Sequence, residues 1–263
     1  MDAPTVVITG ASAGIGQCLA RAWAKRGATV VLCARDEEGL GRVSGEVERA
    51  GGRPVVVRAD VTVEQDRVRL VEAARSTGRI DVLVNNAGRG HYGSIMQVAP
   101  DDFMALLALN VVAPLRLAQL ALDPLTRCGG TIVMMSSVAG VVAAPRLGAY
   151  AASKFALEAL SMSLRAELSG TGVRVLVVRP GPVDTGFQHN AVTTDGAPGV
   201  RPPGASVQTP DDVADQVIEA VHLGKPVVET TAFVRLASAA ARMAPTAMRW
   251  IGAAMGARGK GRG

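Results

Sequence analysis

The chain has little of what builds a disulfide framework, a metal site or a nucleic-acid-binding surface. Its 263 residues include three cysteines and three histidines, and aromatic residues make up only 3%. An odd number of cysteines without paired spacing indicates a reducing compartment, so we expect a cytoplasmic protein. The scattered histidines lack ligand spacing, so no metal is expected. The formal charge of +5 is not concentrated in a basic run with interleaved aromatics, so nucleic acid is not an expected partner.

Long apolar segments are also missing. No uninterrupted run of about 18 apolar residues is present, and no charged segment followed by an apolar one opens the chain. The sequence therefore predicts neither a membrane-spanning helix nor a secretory leader. Hydrophobic residues still make up 48% of the chain and charged residues 19%, which is ordinary for a folded protein with a sizeable core.

Short β-branched runs alternate with longer helical patterns, which is typical of a parallel sheet built from βαβ units. Most of the strand candidates are continuous apolar runs, as expected when helices cover both faces of a sheet. The sequence predicts a doubly wound Rossmann-type three-layer α/β/α sandwich with a parallel sheet of about seven strands. Strands are expected at 5–9, 29–33, 55–58, 82–84, 131–135, 174–178 and 226–229, and helices at 15–26, 37–50, 64–76, 101–122, 148–169 and 211–223.

Two segments break this alternation. Residues 186–208 are rich in Gly, Pro, Thr and Ala, and they predict a long mobile substrate loop. Residues 231–263 predict a helical extension broken at Pro245 and ending in a frayed tail. We expect one catalytic domain over 1–230, to which this extension belongs. Thr209, followed by Pro210 and two aspartates, predicts a helix start.

A glycine-rich turn directly follows the first predicted strand and opens the first predicted helix. Gly10, Gly14 and Gly16 allow the backbone to turn tightly and to approach a pyrophosphate, where free N–H groups and the helix dipole favour an anion. The turn therefore indicates a dinucleotide-binding site.

The end of the second strand indicates which dinucleotide is preferred. Enzymes of this fold that use NAD carry an acidic residue there, which holds the ribose 2′-hydroxyl. The chain has Ala34, which removes that carboxylate, and Arg35, which can bind a 2′-phosphate. Asp36 follows too late for the usual acidic position. We expect NADP(H) with NAD(H) less favoured, while a solvated loop role for Arg35 stays open.

Tyr150 and Lys154 are four residues apart at the start of a helical pattern, so their side chains share one face. A phenol has a pKa near 10 and is a poor base at neutral pH. A fixed cation nearby lowers such a pKa, so we expect Lys154 to lower the pKa of Tyr150. Ser137 ends the fifth strand, at the edge where open α/β sheets bind ligands. Its neighbour Ser136 is an alternative.

Together these motifs resemble the short-chain dehydrogenase/reductase family of the Tyr-xxx-Lys type. The resemblance rests on the TGxxxGxG turn from Thr9, the NNAG element from Asn85, and the RPGPVDT stretch from Arg179. It implies that Tyr150 transfers a proton and that Ser137 stabilises the substrate oxygen.

The resemblance also assigns further roles. Lys154 would bind ribose hydroxyls, and Asn110 would kink its helix and position a water linked to the lysine. Asn110 could equally be a structural polar residue, and Asp60 a capping carboxylate. One departure is Ala13, where NADP(H) enzymes of the family often have a second basic residue. The implied cofactor-binding residues are Gly10, Ser12, Ala13, Gly14, Ile15, Gly16, Arg35, Asp60, Val61, Asn86, Ala87, Gly88, Tyr150, Lys154, Pro180, Gly181, Val183 and Thr185.

The resemblance implies an oxidoreductase that interconverts a ketone or aldehyde and its alcohol with NADP(H). The pocket candidates at 89–92, 138–147, 182–183 and near Phe187 are mostly apolar, so we expect a small apolar substrate. Two alternatives stay open: a 3-oxoacyl-carrier-protein reductase-like enzyme, and a non-catalytic NADP(H)-sensing protein. We also expect a homodimer or homotetramer. For the C-terminal helix, packing on a subunit or over the substrate is favoured over contact with a membrane.

Overall fold

The computed structural model of the chain describes residues 3–194 and 206–243. Seven strands form one sheet: β1 (Thr5–Thr9), β2 (Thr29–Ala34), β3 (Arg53–Arg58), β4 (Val82–Asn85), β6 (Thr131–Met135), β7 (Arg174–Arg179) and β9 (Val227–Glu229). All of them pair in parallel, in the order β3-β2-β1-β4-β6-β7-β9, which confirms the predicted doubly wound fold.

The helices flank this sheet on both faces. They are α1 (Gly14–Ala24), α2 (Glu37–Arg49), α3 (Glu64–Arg75), α4 (Pro100–Leu107), α5 (Ala113–Leu120), α6 (Leu122–Cys128), α7 (Gly148–Glu167), α8 (Pro210–His222) and α9 (Ala232–Met243). Residues 244–263, which include most of the predicted C-terminal extension, lie outside the described part of the chain.

Alternation along the strands divides the core into two layers, because successive side chains of a strand point to opposite faces. On one face Val6 and Ile8 pack with apolar residues of α1, α2 and α8. On the other face Val7 packs with residues of α3, α5 and α7. β1 is buried along its whole length, which explains its continuous apolar sequence.

The helix predicted over 101–122 is interrupted. A π-helical segment, Ala108–Val112, separates α4 from α5, and α6 follows after Ala121. The buried Asn110 lies in the middle of this segment. A π-bulge widens the helix by one residue, and it often marks a functional position. The apolar periodicity alone did not reveal this break, because the flanking turns remain helical.

A second, two-stranded parallel sheet joins β5 (His91–Tyr92) to β8 (Val192–Thr193). The segment 186–208 was expected to be a loop throughout, and β8 corrects that expectation in its first half. The local sequence could not reveal β8, because its pairing partner lies about 100 residues away in the chain. Residues 195–205 of this segment lie outside the described part.

One helical run in the described residues meets the length and composition of a membrane span, although the sequence predicted none. Pro100–Leu120 covers 21 residues with a mean hydropathy of 1.7, and 33% of that window is buried within the protein. The run is not a continuous apolar segment, because it contains the charged residues Asp101, Asp102 and Arg116. Core helices pass the same test, so the run is weak evidence for a span.

The predicted helix start at Thr209 is present as a full capping box. The Thr209 hydroxyl accepts a hydrogen bond from the Asp212 N–H, and the Asp212 carboxylate accepts one from the Thr209 N–H. Pro210 occupies the first turn, where its missing N–H costs nothing.

A buried ion triad joins α7, β7 and β9 beneath the carboxyl edge of the sheet. Arg179 donates to both carboxylate oxygens of Glu158, at 2.9 and 2.8 Å, and to Glu229 at 2.9 Å. The Arg179 and Glu158 side chains are only 11% and 7% exposed. The triad therefore fixes the helix that carries Tyr150 and Lys154 against the end of β7.

We expect Arg179→Ala to lower the free energy of unfolding by about 3–5 kcal/mol, because Glu158 would lose its partner while staying buried. Urea denaturation of the cofactor-free protein measures this change. Arg21→Ala is the matched control, since Arg21 pairs with the exposed Asp211. It should cost at most about 1 kcal/mol. Equal losses in the two variants would contradict a structural role for the triad.

Candidate active site

The glycine-rich turn between β1 and α1 has the conformation that its sequence predicts. Gly10 and Gly14 have φ of +65° and +56°, which glycine adopts readily. Gly16 has no room for a side chain, because a Cβ there would collide with the Gly10 carbonyl oxygen. Ala13 precedes α1 without a side-chain cap. The N–H groups of the first turn of α1 therefore remain available to an anion.

Asn86 supports this turn from the end of β4. Its amide nitrogen donates to the carbonyl oxygens of Thr9 (2.9 Å) and Gly10 (3.1 Å). The Thr9 hydroxyl in turn accepts from the N–H groups of Asn86 and Ala87, at 3.0 Å each. The first half of the NNAG element therefore fixes the shape of the glycine-rich turn, whereas Gly88 lies deeper, beside the catalytic candidates.

The predicted adenine end contains a fixed turn. The Asp60 carboxylate accepts from the N–H and the hydroxyl of Thr62, and Val61 is buried beside it. Burial alone would raise the pKa of Asp60, but the bonds from Thr62 and the charge of Arg35 outweigh it and lower the pKa. Val63, not Asp60, precedes α3 as its N-cap residue.

Two arginines lie side by side at the ends of β2 and β3. Arg35 is 78% exposed and lies 3.6 Å from the Asp60 carboxylate. The Nε of Arg58 donates to the Arg35 carbonyl oxygen at 3.4 Å, because the two strands pair in register there. The Asp36 carboxylate is occupied elsewhere, since it accepts from the Gly39 N–H as the N-cap of α2. The exposed Glu37 lies 3.8 Å from Arg58.

The RPGPVDT stretch forms the wall opposite the glycine-rich turn. A Cβ at Gly14 would lie 3.2 Å from the Thr185 methyl group, so Thr185 approaches the glycine-rich turn closely. Pro180 accepts a hydrogen bond from the Val138 N–H, and Val183 forms a bridge with Gln208. The other predicted cofactor-binding residues differ in their surroundings. Ser12 packs on α2 and Ile15 packs on the core, whereas Ala13 is exposed. Gly181 packs on α9 and on Thr231, which directly precedes that helix.

Tyr150 and Lys154 lie on one face of α7, as their spacing predicts. The Lys154 Nζ donates to the Met135 carbonyl oxygen at 2.7 Å and lies 5.8 Å from the centre of the Tyr150 ring. The Tyr150 side chain is buried, with 7% of the residue exposed. The end of β6 and the start of α7 therefore bring the two groups together.

Of the two serines after β6, Ser137 is the one beside the tyrosine. Its side chain forms a hydrogen bond that acts on the Tyr150 phenol, and its hydroxyl oxygen accepts from the Ala139 N–H at 3.1 Å. The Ser136 hydroxyl is buried near Gly140 and has no hydrogen-bond partner within the described residues. The geometry favours Ser137 over its neighbour.

Burial controls the proton affinities of the pair. Burial raises the pKa of Tyr150 above its ordinary value, although the bond from Ser137 lowers it. The net direction is opposite to the expected lowering by Lys154, because removal from water is the largest influence on the phenol. Burial also lowers the pKa of Lys154 to about 8, and the charge of Glu158 opposes the shift.

The oxygen and the nitrogen of the Asn110 side-chain amide both form hydrogen bonds. Its oxygen accepts from the Arg89 N–H, and its nitrogen donates to the Arg89 carbonyl and to the Ser153 hydroxyl, all at 3.0 Å. A Cβ at Gly88 would lie 3.2 Å from the Asn110 oxygen and 3.7 Å from the Lys154 nitrogen. Asn110 therefore ties the π-helical segment to α7 and borders the lysine.

The wall beyond Tyr150 combines apolar and polar side chains. Tyr150 packs with Leu147 and Phe187, and its ring centre lies 5.9 Å from that of Phe187. The segment from Arg89 to Tyr92 is less apolar than predicted. The Arg89 Nε and the His91 Nε2 are buried without partners within the described residues.

Sequence reasoning missed Arg58 and Ser153, and it included Tyr92 only within the pocket candidates at 89–92. Tyr92 is one of two tyrosines in the chain and follows the NNAG element, so its rarity could have singled it out within that range. Arg58 ends a strand adjacent to Arg35, but only the strand order shows that. Ser153 precedes Lys154 and carries no recognisable pattern.

A cavity of about 560 Å³ lies at the opposite, amino edge of the sheet. Its lining includes Pro4, Trp23, Arg26, Thr131 and Arg174, all far along the strands from the catalytic candidates. Helix C-termini gather at this edge and carry partial negative charge, which the arginines compensate. The cavity is separate from the candidate active site.

The lowered pKa of Lys154 predicts a pH dependence of stability. The folded protein releases this proton near pH 8, whereas an unfolded lysine holds it up to about 10.5. Because the unfolded state then binds more protons, the wild type should gain on the order of 1–2 kcal/mol relative to Lys154→Met between pH 7.5 and 9.5. Urea denaturation of both proteins at the two pH values measures this. A constant difference between them would contradict a lowered pKa.

Comparison with known proteins agrees with this geometry. Residues 4–196 match the family model described as short chain dehydrogenase. The ketoacyl reductase HetN of Nostoc sp. is 34% identical, over 94% of this chain and 89% of its own length. The dehydrogenase/reductase SDR family member 7B of Xenopus laevis is 35% identical, over 84% of this chain and 72% of its own length.

Two solved structures have the same fold. A short-chain dehydrogenase from Streptomyces avermitilis superposes with a TM-score of 0.85 at 26% identity, covering 97% of this chain and 98% of that one. An alcohol dehydrogenase from Thermococcus sibiricus, complexed with 5-hydroxy-NADP, gives 0.76 at 29% identity, covering 87% and 94%. The chain belongs to the short-chain dehydrogenase family and is an oxidoreductase of that family.

Proposed function

We propose that the protein is an NADP(H)-dependent oxidoreductase that interconverts a ketone or aldehyde and the corresponding alcohol. The observation that carries this proposal is the meeting of the Tyr150 phenol, the Ser137 side chain and the Lys154 ammonium at the carboxyl end of β6. This is the edge of the sheet at which doubly wound folds bind ligands.

The cleft fits a dinucleotide. The uncapped N-terminus of α1 offers backbone N–H groups to a pyrophosphate, and the glycines of the turn allow close approach. Thr185 faces this turn from the other side and would lie over the nicotinamide half, with Val183. When bound, the nicotinamide supplies the hydride.

Four observations favour NADP(H) over NAD(H). Ala34 removes the usual acidic residue, and the Asp36 carboxylate is already used to cap α2. Arg35 and the neighbouring Arg58 offer two guanidinium groups to a 2′-phosphate. Arg58 on β3 would therefore replace the second basic residue that many NADP(H) enzymes of the family have at the position of Ala13. The Thermococcus sibiricus enzyme, which has the same fold, carries an NADP analogue.

The protein groups divide the proton chemistry between them. The raised pKa keeps the Tyr150 phenol protonated at neutral pH, so it can donate to a carbonyl oxygen during reduction. Ser137 would hold that oxygen as negative charge develops on it. Lys154 would bind ribose hydroxyls, and Asn110 would help return a proton to the tyrosine through water.

A second candidate function is reduction of a ketoacyl group. The relative named ketoacyl reductase matches nearly the whole chain. The apolar cluster of Leu147, Phe187 and Ala151 around Tyr150 suits an aliphatic chain next to the carbonyl in either case. The two candidates share the chemistry and differ in the substrate.

Assembly into a homodimer or homotetramer is also proposed. Large apolar side chains are exposed on α4, the π-helical segment and α7, namely Met104, Val112, Phe155 and Met162. An exposed apolar surface on neighbouring helices is typical of a subunit interface. A cytoplasmic location, the absence of nucleic-acid binding and packing of the C-terminal helix away from membranes stay predictions.

We expect Tyr150→Phe to lower kcat at least about 100-fold, because it removes the proton donor. NADPH affinity should change by no more than about twofold, since the ring and its packing remain. A panel of ketones, aldehydes and alcohols, followed by nicotinamide absorbance, first identifies a substrate. Fluorescence titration then measures NADPH binding. Substantial residual turnover in the variant would contradict the role of Tyr150, whereas tight NADPH binding without turnover of any substrate would favour a sensor.

We expect Arg35→Ala to weaken NADPH binding about 10–100-fold and NADH binding far less, because a charge-assisted bond to the 2′-phosphate is lost. Titration of both cofactors into the purified protein measures the two affinities. Arg53→Ala is the matched control, since Arg53 is an exposed arginine at the opposite end of β3. An equal loss for both cofactors would mean that Arg35 does not bind the phosphate.

A further inference from the structure

Tyr92 is held at a fixed position in the wall of the candidate active site. Its carbonyl oxygen accepts from the Thr194 N–H at 3.1 Å, and the Gly93 N–H donates to the Arg146 carbonyl at 2.9 Å. β5 therefore connects to both the substrate loop and the segment before α7. The Tyr92 side chain is buried, with 5% of the residue exposed.

Its ring lines the same space as the proton donor. Gly90 lacks a side chain where the rings of Phe187 and Tyr92 and the Ala191 methyl converge, and a Cβ there would lie 3.1–3.3 Å from all three. Phe187 in turn packs on Tyr150. The two tyrosines are close enough for ionisation of Tyr92 to raise the pKa of Tyr150. Tyr92 therefore lies beside Phe187 and near the catalytic phenol.

The Tyr92 hydroxyl makes no hydrogen bond within the described residues. A buried tyrosine usually finds a partner for its O–H. Burial raises the pKa of Tyr92, so the group stays a neutral donor across the physiological range. Arg89 and His91, which precede Tyr92, have buried nitrogens without partners within the described residues, but His91 and Tyr92 are adjacent on β5 and their side chains point to opposite faces. Tyr92 therefore adds a polar group to surroundings that are apolar around Tyr150.

We propose that Tyr92 contacts the substrate and donates a hydrogen bond to a second oxygen beside the reducible carbonyl, so that the enzyme favours ketones with such an acceptor. This proposal rests on the proposed function. Ser137 and Tyr150 would hold the carbonyl that is reduced, and Tyr92 would select for a neighbouring ester, thioester or keto oxygen. An alkyl chain at that point would leave the Tyr92 hydroxyl without a partner, which a buried site disfavours.

A matched pair of substrates tests this. Ethyl 3-oxobutanoate and 2-heptanone have main chains of equal length, and only the first has an ester beside the keto group. For the wild type with NADPH, we expect kcat/KM to be at least about tenfold higher for the keto ester. In Tyr92→Phe the preference should fall about tenfold, through a loss for the keto ester alone. The control is Met96→Ala, at an exposed residue four positions after Tyr92, and it should keep the wild-type ratio.

The outcomes separate the two proposals. Equal losses on both substrates in Tyr92→Phe would show a structural role and overturn the specificity proposal, as would an unchanged ratio. Either result leaves the proposed oxidoreductase function in place, because turnover persists. No turnover of either substrate by wild-type enzyme that binds NADPH would remove the specificity proposal and count against the oxidoreductase function for this substrate class.

Discussion

The buried amide of Asn110 is the interaction on which the arrangement of the candidate site depends. It accepts from and donates to the backbone of Arg89, and it also donates to Ser153 on α7. Asn110 makes these bonds from within the π-helical segment Ala108–Val112, a kind of helix widening that often marks a functional position. One side chain thereby sets the spacing between three parts of the molecule: the segment after β4, the α4–α5 helix pair, and the helix that carries Tyr150 and Lys154. An amide lost from this position would leave partly buried backbone groups of Arg89 without these partners, which is costly.

Removal from water gives the neighbouring acid and base their character. The phenol of Tyr150 and the ammonium of Lys154 are both buried, and burial disfavours the charged form of each. The pair therefore shifts toward a neutral phenol and a lysine that titrates near pH 8. A positively charged nicotinamide ring in the cleft would oppose this shift for the tyrosine. The protein on its own thus favours the phenol as a proton donor, which suits reduction, and the oxidised cofactor would favour the phenolate needed for the reverse reaction.

The sequence predicted most of the fold, because the fold rests on local signals. Continuous apolar strands, amphipathic helices and the Thr209 capping box each depend on residues that are close together in the sequence. The glycine-rich turn and the Tyr150–Lys154 pair also follow from short spacings. What could not be predicted depends on contacts between distant segments. β8 pairs with β5 from about 100 residues away, Arg58 adjoins Arg35 only through the strand order, and Asp36 is diverted to capping α2. The pKa of Tyr150 was predicted in the wrong direction, since a helical spacing gives the lysine but not the depth of burial.

Phe187 contacts both tyrosines of the candidate site, and the surroundings of these tyrosines differ in polarity. Around Tyr150, Leu147, Ala139 and Ala151 offer only apolar contact, so they recognise shape and exclude water. Tyr92, whose ring lies beside that of Phe187, adds a phenol that has no hydrogen-bond partner within the described residues. Apolar contacts discriminate weakly between similar molecules, whereas a buried polar group rejects a ligand that leaves it unpaired. Selectivity of this enzyme would therefore come from the strand pair β5–β8, which holds Tyr92 in place, while the groups on β6 and α7 provide chemistry that any ketone could use.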